Sequence, residues 1–142
     1  MTGLSWVKNR LAEGEFTCVL KKGEKVYESK KRGVKPLVEL LELGEDFTDC
    51  YAADRVVGKA TAFLYVLIGA RRVYARVISK SALEVFSERG ITVEYETLAD
   101  YIVNRKGDGR CPFEELVLNE SDEKTAYQKI KTKLSKLVVE GK

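Results

Sequence analysis

The sequence predicts an α/β fold of three layers, a mixed sheet with helices on both faces. Three observations predict it. Alternating apolar runs and helical stripes follow one another in the order hairpin, helix, strand, helix, strand, helix, strand. Residues 57–68 are apolar nearly all round, as in a helix covered on most sides. Residues 73–79, a helix through Arg89 and residues 91–96 form a strand, helix and strand unit, which is normally parallel. With 142 residues, 44% of them hydrophobic, the chain is long enough for one core and is read as one domain over 1–142.

Leu4, Val7 and Leu11 recur at helical spacing after Thr2 or Ser5, either of which can cap, so a short amphipathic helix opens the chain. Residues 16–21 and 25–29 flank Lys22, Gly23 and Glu24 as a hairpin. Pro36 suits a first helical turn, Leu37, Leu40 and Leu41 share a face, and Gly44 can end the helix. Residues 50–54 read as a short buried strand before the apolar helix of 57–68. Ser79 or Ser81 can cap the next helix, which Gly90 ends. Residues 97–104 read as helical, 105–110 as a glycine-bearing loop, and Pro112 as the start of a short helix with Glu114 and Glu115 in its first turn. Ser121 is the expected cap of a long last helix. Its stripe of Ala126, Ile130, Leu134, Leu137 and Val138 faces the core, with its lysines largely elsewhere.

Charge and composition exclude more than they select. Twenty-five basic residues against 22 acidic ones leave +3, too little to imply nucleic acid or an anionic membrane. The longest apolar stretch, 56–70, is broken by Gly58 and Lys59 and falls short of the roughly 20 residues that cross a bilayer. No secretion signal opens the chain, and Cys18, Cys50 and Cys111 are odd in number and widely spaced, so a reducing cytoplasm is expected. There is no histidine, which removes Ser-His-Asp and Cys-His nucleophiles, and neither a phosphate-binding nor a dinucleotide-binding glycine loop is present. Trp6 and Tyr51, Tyr65, Tyr74 and Tyr95 do not interleave with basic residues as base-stacking aromatics do; they read as core.

The stretch RVYARVISKSALEVFSERGITVEYE, Arg72 to Glu96, is similar to the strand, helix and strand that follow the first metal-binding helix of cytidine-deaminase-like proteins. With DCYAADRVVGKATAFLY before it, the whole chain resembles a small family of uncharacterised prokaryotic proteins of cytidine-deaminase-like fold. In zinc-dependent deaminases a His/Cys-x-Glu motif opens one helix and Pro-Cys-x-x-Cys the next. Here those places correspond to Val57-Gly58-Lys59 and Ser79-Lys80-Ser81-Ala82, which hold no histidine, cysteine or glutamate. The resemblance therefore implies the fold and a pocket position without the deamination mechanism. No metal and no cofactor are expected, since the cysteines lack paired ligand spacing.

Two groups of residues can carry function. Asp54 ends a strand, and Gly58 and Lys59 begin the following helix, where ligands often bind α/β sheets. A lysine there opposes the helix dipole and is partly desolvated unless Asp54 pairs with it, so it can bind an anion or act as base or nucleophile. The plain alternative is a structural Asp54–Lys59 ion pair with Gly58 permitting close packing. The second group is Asp108, Gly109, Arg110 and Cys111, a glycine loop leading to Cys111 at a helix start beside a cation, where a thiolate is favoured. The plain alternative is a surface turn. Ser79 and Ser81 read as caps, although the resemblance places them beside the former metal position.

The expectation is a zinc-free cytoplasmic protein with a small-molecule pocket, its ligand anionic, between Asp54, Lys59, Ser79, Ser81 and residues 108–111. In a catalytic version Cys111 is the nucleophile, Lys59 stabilises an anion or moves a proton, Asp54 orients it and Arg110 binds a negative group. The competing version is a non-catalytic module for ligand sensing or protein contact. Self-association is compatible with either version, whereas a membrane partner is not expected and nucleic acid, through the lysines of the last helix, is the least favoured partner. Amides are few, Asn9, Asn104, Asn119 and Gln128, while Lys and Glu abound, a bias of heat-adapted proteins. The chain is accordingly expected to melt above the mesophile range of about 45–65 °C, and a calorimetric midpoint inside that range would contradict a thermophilic origin.

Overall fold

A computed structural model describes residues 3–104 and 106–139; Thr2, Arg105 and the side chain of Val138 lie outside the described residues. Helix α1 (Gly3–Glu13) leads to the hairpin β1 (Cys18–Lys22) and β2 (Lys25–Ser29), then α2 (Lys35–Leu43) and β3 (Tyr51–Val57). Helix α3 (Lys59–Ile68), β4 (Arg72–Ser79), α4 (Lys80–Glu88) and β5 (Thr92–Ala99) follow, and α5 (Pro112–Leu116) and α6 (Glu123–Val139) complete the order. The five strands form an open mixed sheet ordered β2-β1-β3-β4-β5. β1 runs antiparallel to β2 and β3, while β3, β4 and β5 are parallel.

The period of two in the strands splits the core between the sheet's faces. Val19, Ala53 and Tyr74 pack under α1 through Val7 and Leu11. Cys18, Leu20, Ala52, Val73 and Ala75 face the larger cluster, to which α2, α3, α4 and α6 contribute. Helix α3 is central, as its composition predicts: Phe63, Leu64 and Tyr65 are fully buried. Alternation then breaks in step on two strands. Val57 and Ile78 join the larger cluster although Ala52 and Val73 would send them to the other face, which leaves the consecutive pairs Arg55, Val56 and Arg76, Val77 outside it.

Several boundaries differ from expectation. Residues 97–104 are not helical: Thr97, Leu98 and Ala99 pair with Val77, Ile78 and Ser79 and extend β5, because the parallel ladder supplies the backbone bonds a helix would have supplied. Val57 belongs to β3, so α3 starts two residues later than the apolar run. Ser5 lies inside α1, which begins at Gly3. Asp122, not Ser121, caps α6: its carboxylate accepts from the Thr125 amide at 2.8 Å, a geometry that the neighbouring position would not offer. The remaining elements fall where predicted, with Gly44 closing α2 in the left-handed region at φ 72°. Among the described residues no helix is long and apolar enough to cross a membrane.

Candidate functional site

The parallel strands deliver three helix or loop starts to one end of the sheet. Gly58 is the N-cap of α3 and Ser79 that of α4, where the Ser79 hydroxyl accepts from the Ala82 amide. Both helix starts lack an acidic first-turn residue, and orphan amides there attract negative charge. That charge is supplied by Glu114 of α5, 1% exposed. Its Oε2 accepts from the Lys59 amide at 3.0 Å, the Ser79 hydroxyl at 2.7 Å and the Ser81 hydroxyl at 3.5 Å; its Oε1 accepts from the Ile102 amide at 2.6 Å. Gly58 is what allows the approach, since a Cβ there would stand 2.8 Å from Oε2.

Glu114 is the residue that sequence reasoning missed. Its sequence position marks it only as a first-turn acid of α5, and nothing in its neighbours signals a partner 55 positions away. Around it the predicted residues separate. Lys59 contributes its backbone to Glu114, while its ammonium donates to the Leu118 carbonyl at 2.7 Å and lies 5.8 Å from the Phe63 ring centre. Among the described residues no ion pair joins Lys59 to Asp54, so the pair inferred from spacing does not form.

Asp54 instead points into the core, 8% exposed. Its Oδ2 accepts from the Tyr65 hydroxyl at 2.6 Å and its Oδ1 from the Val56 amide at 3.2 Å. Burial raises its pKa to about 7, against the lowering effect of the Tyr65 hydroxyl and the Val56 and Arg55 amides. Across the sheet, Cys18 is its register partner, and burial first, then the Asp54 charge, pushes that thiol well above the usual range. Cys50 is raised to about 12 by burial. Both are structural thiols, as expected.

A broad cleft of about 1330 Å³ runs between α2, the end of β3, the 102–114 segment and α6. It gathers Asp54, Gly58, Asp108 and Cys111 from the predicted set. Lys59, Ser79 and Ser81 are turned to other partners, and the Arg110 guanidinium lies 4.6 Å from the Tyr101 ring centre. Gly109 accepts from the Asn104 amide through its carbonyl, and Asp108 accepts from the Asn104 side chain at 2.9 Å, so both serve the turn. Cys111 is half-buried and is the N-cap of α5. Five cations also line the cleft without an ion pair among the described residues: Arg32, Lys35, Arg55, Lys106 and Lys131, the last lying 5.1 Å from the Tyr127 ring centre. Among the described residues no three His, Cys, Asp or Glu side chains converge as metal ligands do.

Two comparisons bear on this architecture. Residues 6–134 match the family model described as TM1506, a domain of unknown function (DUF1893). The fold also matches the crystal structure of a DUF1893 family protein (TM1506) from Thermotoga maritima, with a TM-score of 0.86 and 29% identity over 92% of this chain and 89% of that one. No curated protein matches.

Three expectations follow from the buried acids. Glu114→Gln sets an amide NH₂ among donors and is expected to cost roughly 1–3 kcal/mol in denaturant unfolding. Gly58→Ala should lose part of its own cost in a Glu114→Ala background, and an additive double-mutant cycle would disprove the contact. Asp54 binds its proton more tightly folded than unfolded, so its contribution to stability is complete below pH about 4 and is lost as pH rises to about 7. Unfolding free energies of wild type and Asp54→Asn over pH 4–8 are expected to differ by exactly that falling segment; parallel profiles would refute it.

Proposed function

The chain belongs to the DUF1893 family, and on that footing we propose that it is a metal-independent ligand-binding protein of cytidine-deaminase-like fold whose cleft takes an anionic small molecule. The fold part of the reading is supported by the junction of α3 and α4. These are the helix starts that the resemblance equates with the two zinc motifs, and here they converge on the Glu114 carboxylate. The donors around it are amides and hydroxyls, which suit an oxygen anion and do not suit a zinc ion, so no step is routed through a metal.

The observation that carries the binding reading is the charge in the cleft. Arg32 and Lys35 at the start of α2, Arg55 on β3 and Lys106 in the loop line one cavity with no carboxylate paired to them among the described residues. Of the acids that share the cleft, Glu39 engages Lys31, Asp108 engages Asn104 and Glu114 its donors, which leaves the exposed Glu42 of α2 as one free carboxylate against the cations. Asp54 is largely protonated below pH 7. Apolar walls from Phe113 and Leu134 add contact area for the body of the ligand. A cytoplasmic location and a heat-adapted source belong to the same reading, on the free thiols and scarce amides.

The nucleophilic reading of Cys111 keeps one supporting observation, its place on the cleft wall. The Arg110 guanidinium expected to favour its thiolate lies against the Tyr101 ring, and the Lys59 ammonium expected near it is bound to the Leu118 carbonyl. The test uses 8-anilinonaphthalene-1-sulfonate as an anionic, partly apolar probe of the native chain. Saturable fluorescence is expected, with affinity reduced severalfold in Lys35→Gln and by added salt, and unchanged in Cys111→Ser. A probe indifferent to charge removal overturns the anion cleft. Alkylation of Cys111 with a midpoint well below about 8.5 would put the nucleophile first.

A further inference from the structure

A second cationic feature shares Arg55 with the cleft but extends from it along the α1 side of the sheet to Arg76, which the cleft does not include. The rungs Asp54↔Ala75 and Val56↔Val77 bracket Arg55 and Arg76, so these two arginines stand side by side on neighbouring parallel strands. Counting in twos from Ala53 and Tyr74, which pack under α1, places both on the face that α1 covers. They sit one rung beyond its cover, because Lys8 of α1 already reaches the Tyr74 ring at 4.8 Å and pairs with Glu94.

Neighbouring strands are about 4.8 Å apart, and like charges opposed at that spacing destabilise a sheet. Arg55 and Arg76 are half-buried and take part in no ion pair, and Arg55 Nε is fully buried without a hydrogen-bond partner. Glu96 stands directly across from Arg76 on β5, between the rungs Ala75↔Tyr95 and Val77↔Thr97, but makes no ion pair with it, and Arg55 has no such neighbour on its other side, where β1 has ended. A guanidinium withdrawn from water and left without an acceptor is costly, whereas two planar forks side by side match an oxyanion with several oxygens.

We propose that Arg55 and Arg76 form a binding site for a doubly charged oxyanion, of the phosphate or sulfate type, on the α1 face of the sheet. Two guanidinium charges match two negative charges, and both arginines keep part of their surface in solvent, so an ion can reach them. Arg55 also reaches the end of the cleft, but Arg76 does not line it, so the two sites separate by mutation.

The test titrates sulfate into the ¹⁵N-labelled full chain at constant ionic strength and follows the arginine Nε–Hε signals. Saturable shifts of Arg55 and Arg76 are expected, absent with chloride and weaker with acetate. Arg76→Gln should lower sulfate affinity at least tenfold and, in sulfate-free buffer, raise the denaturant midpoint by removing a like charge. Lys124→Gln, on the exposed side of α6, should change neither, which separates this site from a general loss of positive charge. Non-saturable shifts, acetate binding as tight as sulfate, or an Arg76→Gln variant that loses stability while keeping its sulfate affinity would each overturn the site.

Discussion

Everything at the functional end of the molecule depends on one buried carboxylate. Glu114 sits where α3 and α4 begin and accepts from two backbone amides and the Ser79 hydroxyl within 3.0 Å, with Ser81 further off. A carboxylate withdrawn from water is costly unless its lone pairs are filled, and the amides of a helix start are equally costly unless an acceptor meets them. Each solves the other's problem. The contact draws α5 and the 102–116 segment onto the sheet's end, and with them Cys111, whose amide bonds the Ile102 carbonyl. The wall of the cleft is thus assembled by an interaction between residues that are more than fifty positions apart.

The same contact explains why the two predicted partners, Asp54 and Lys59, do not meet. With Glu114 neutralising the start of α3, the Lys59 ammonium is released from that role and reaches out to the Leu118 carbonyl. Asp54 is left to the core, where the Tyr65 hydroxyl and a backbone amide satisfy it without a cation. Two buried acids under one sheet end therefore meet different environments. Glu114 is embraced by donors from four residues, whereas Asp54 has burial outweighing its bonds and a pKa near neutrality. The cleft combines a switchable acid on its floor with fixed cations on its rim.

The sheet itself contributes a second constraint. Where β3 and β4 fall out of strict alternation together, Val57 and Ile78 turn into the main core, and Arg55 and Arg76 lie just before that change. Helix α1 covers the rungs of Ala53 and Tyr74 and no further, so the arginines stand at the edge of its shelter. A like-charge pair at such a place costs stability, which suits a residue pair held for a ligand better than one held for the fold.

Local chemistry decided what the sequence alone could determine. The apolar stripe of α2 ending at Gly44, the all-round apolar character of α3, the Ser79 cap of α4 and the restart at Pro112 were legible because each depends on residues within a turn or two. The mixed sheet followed from their order, as did the buried Cys18 and Cys50. Tertiary structure decided the rest. The extension of β5 through Ala99 depends on a ladder with β4 that no periodicity in 97–104 announces. The role of Glu114 depends on donors contributed from positions 59, 79, 81 and 102, and the adjacency of Arg55 and Arg76 depends on strand register. A sequence displays periodicity and caps directly, but a buried charge chooses its partner by which unsatisfied groups the finished fold brings within hydrogen-bond reach, and that is settled only when distant segments pack.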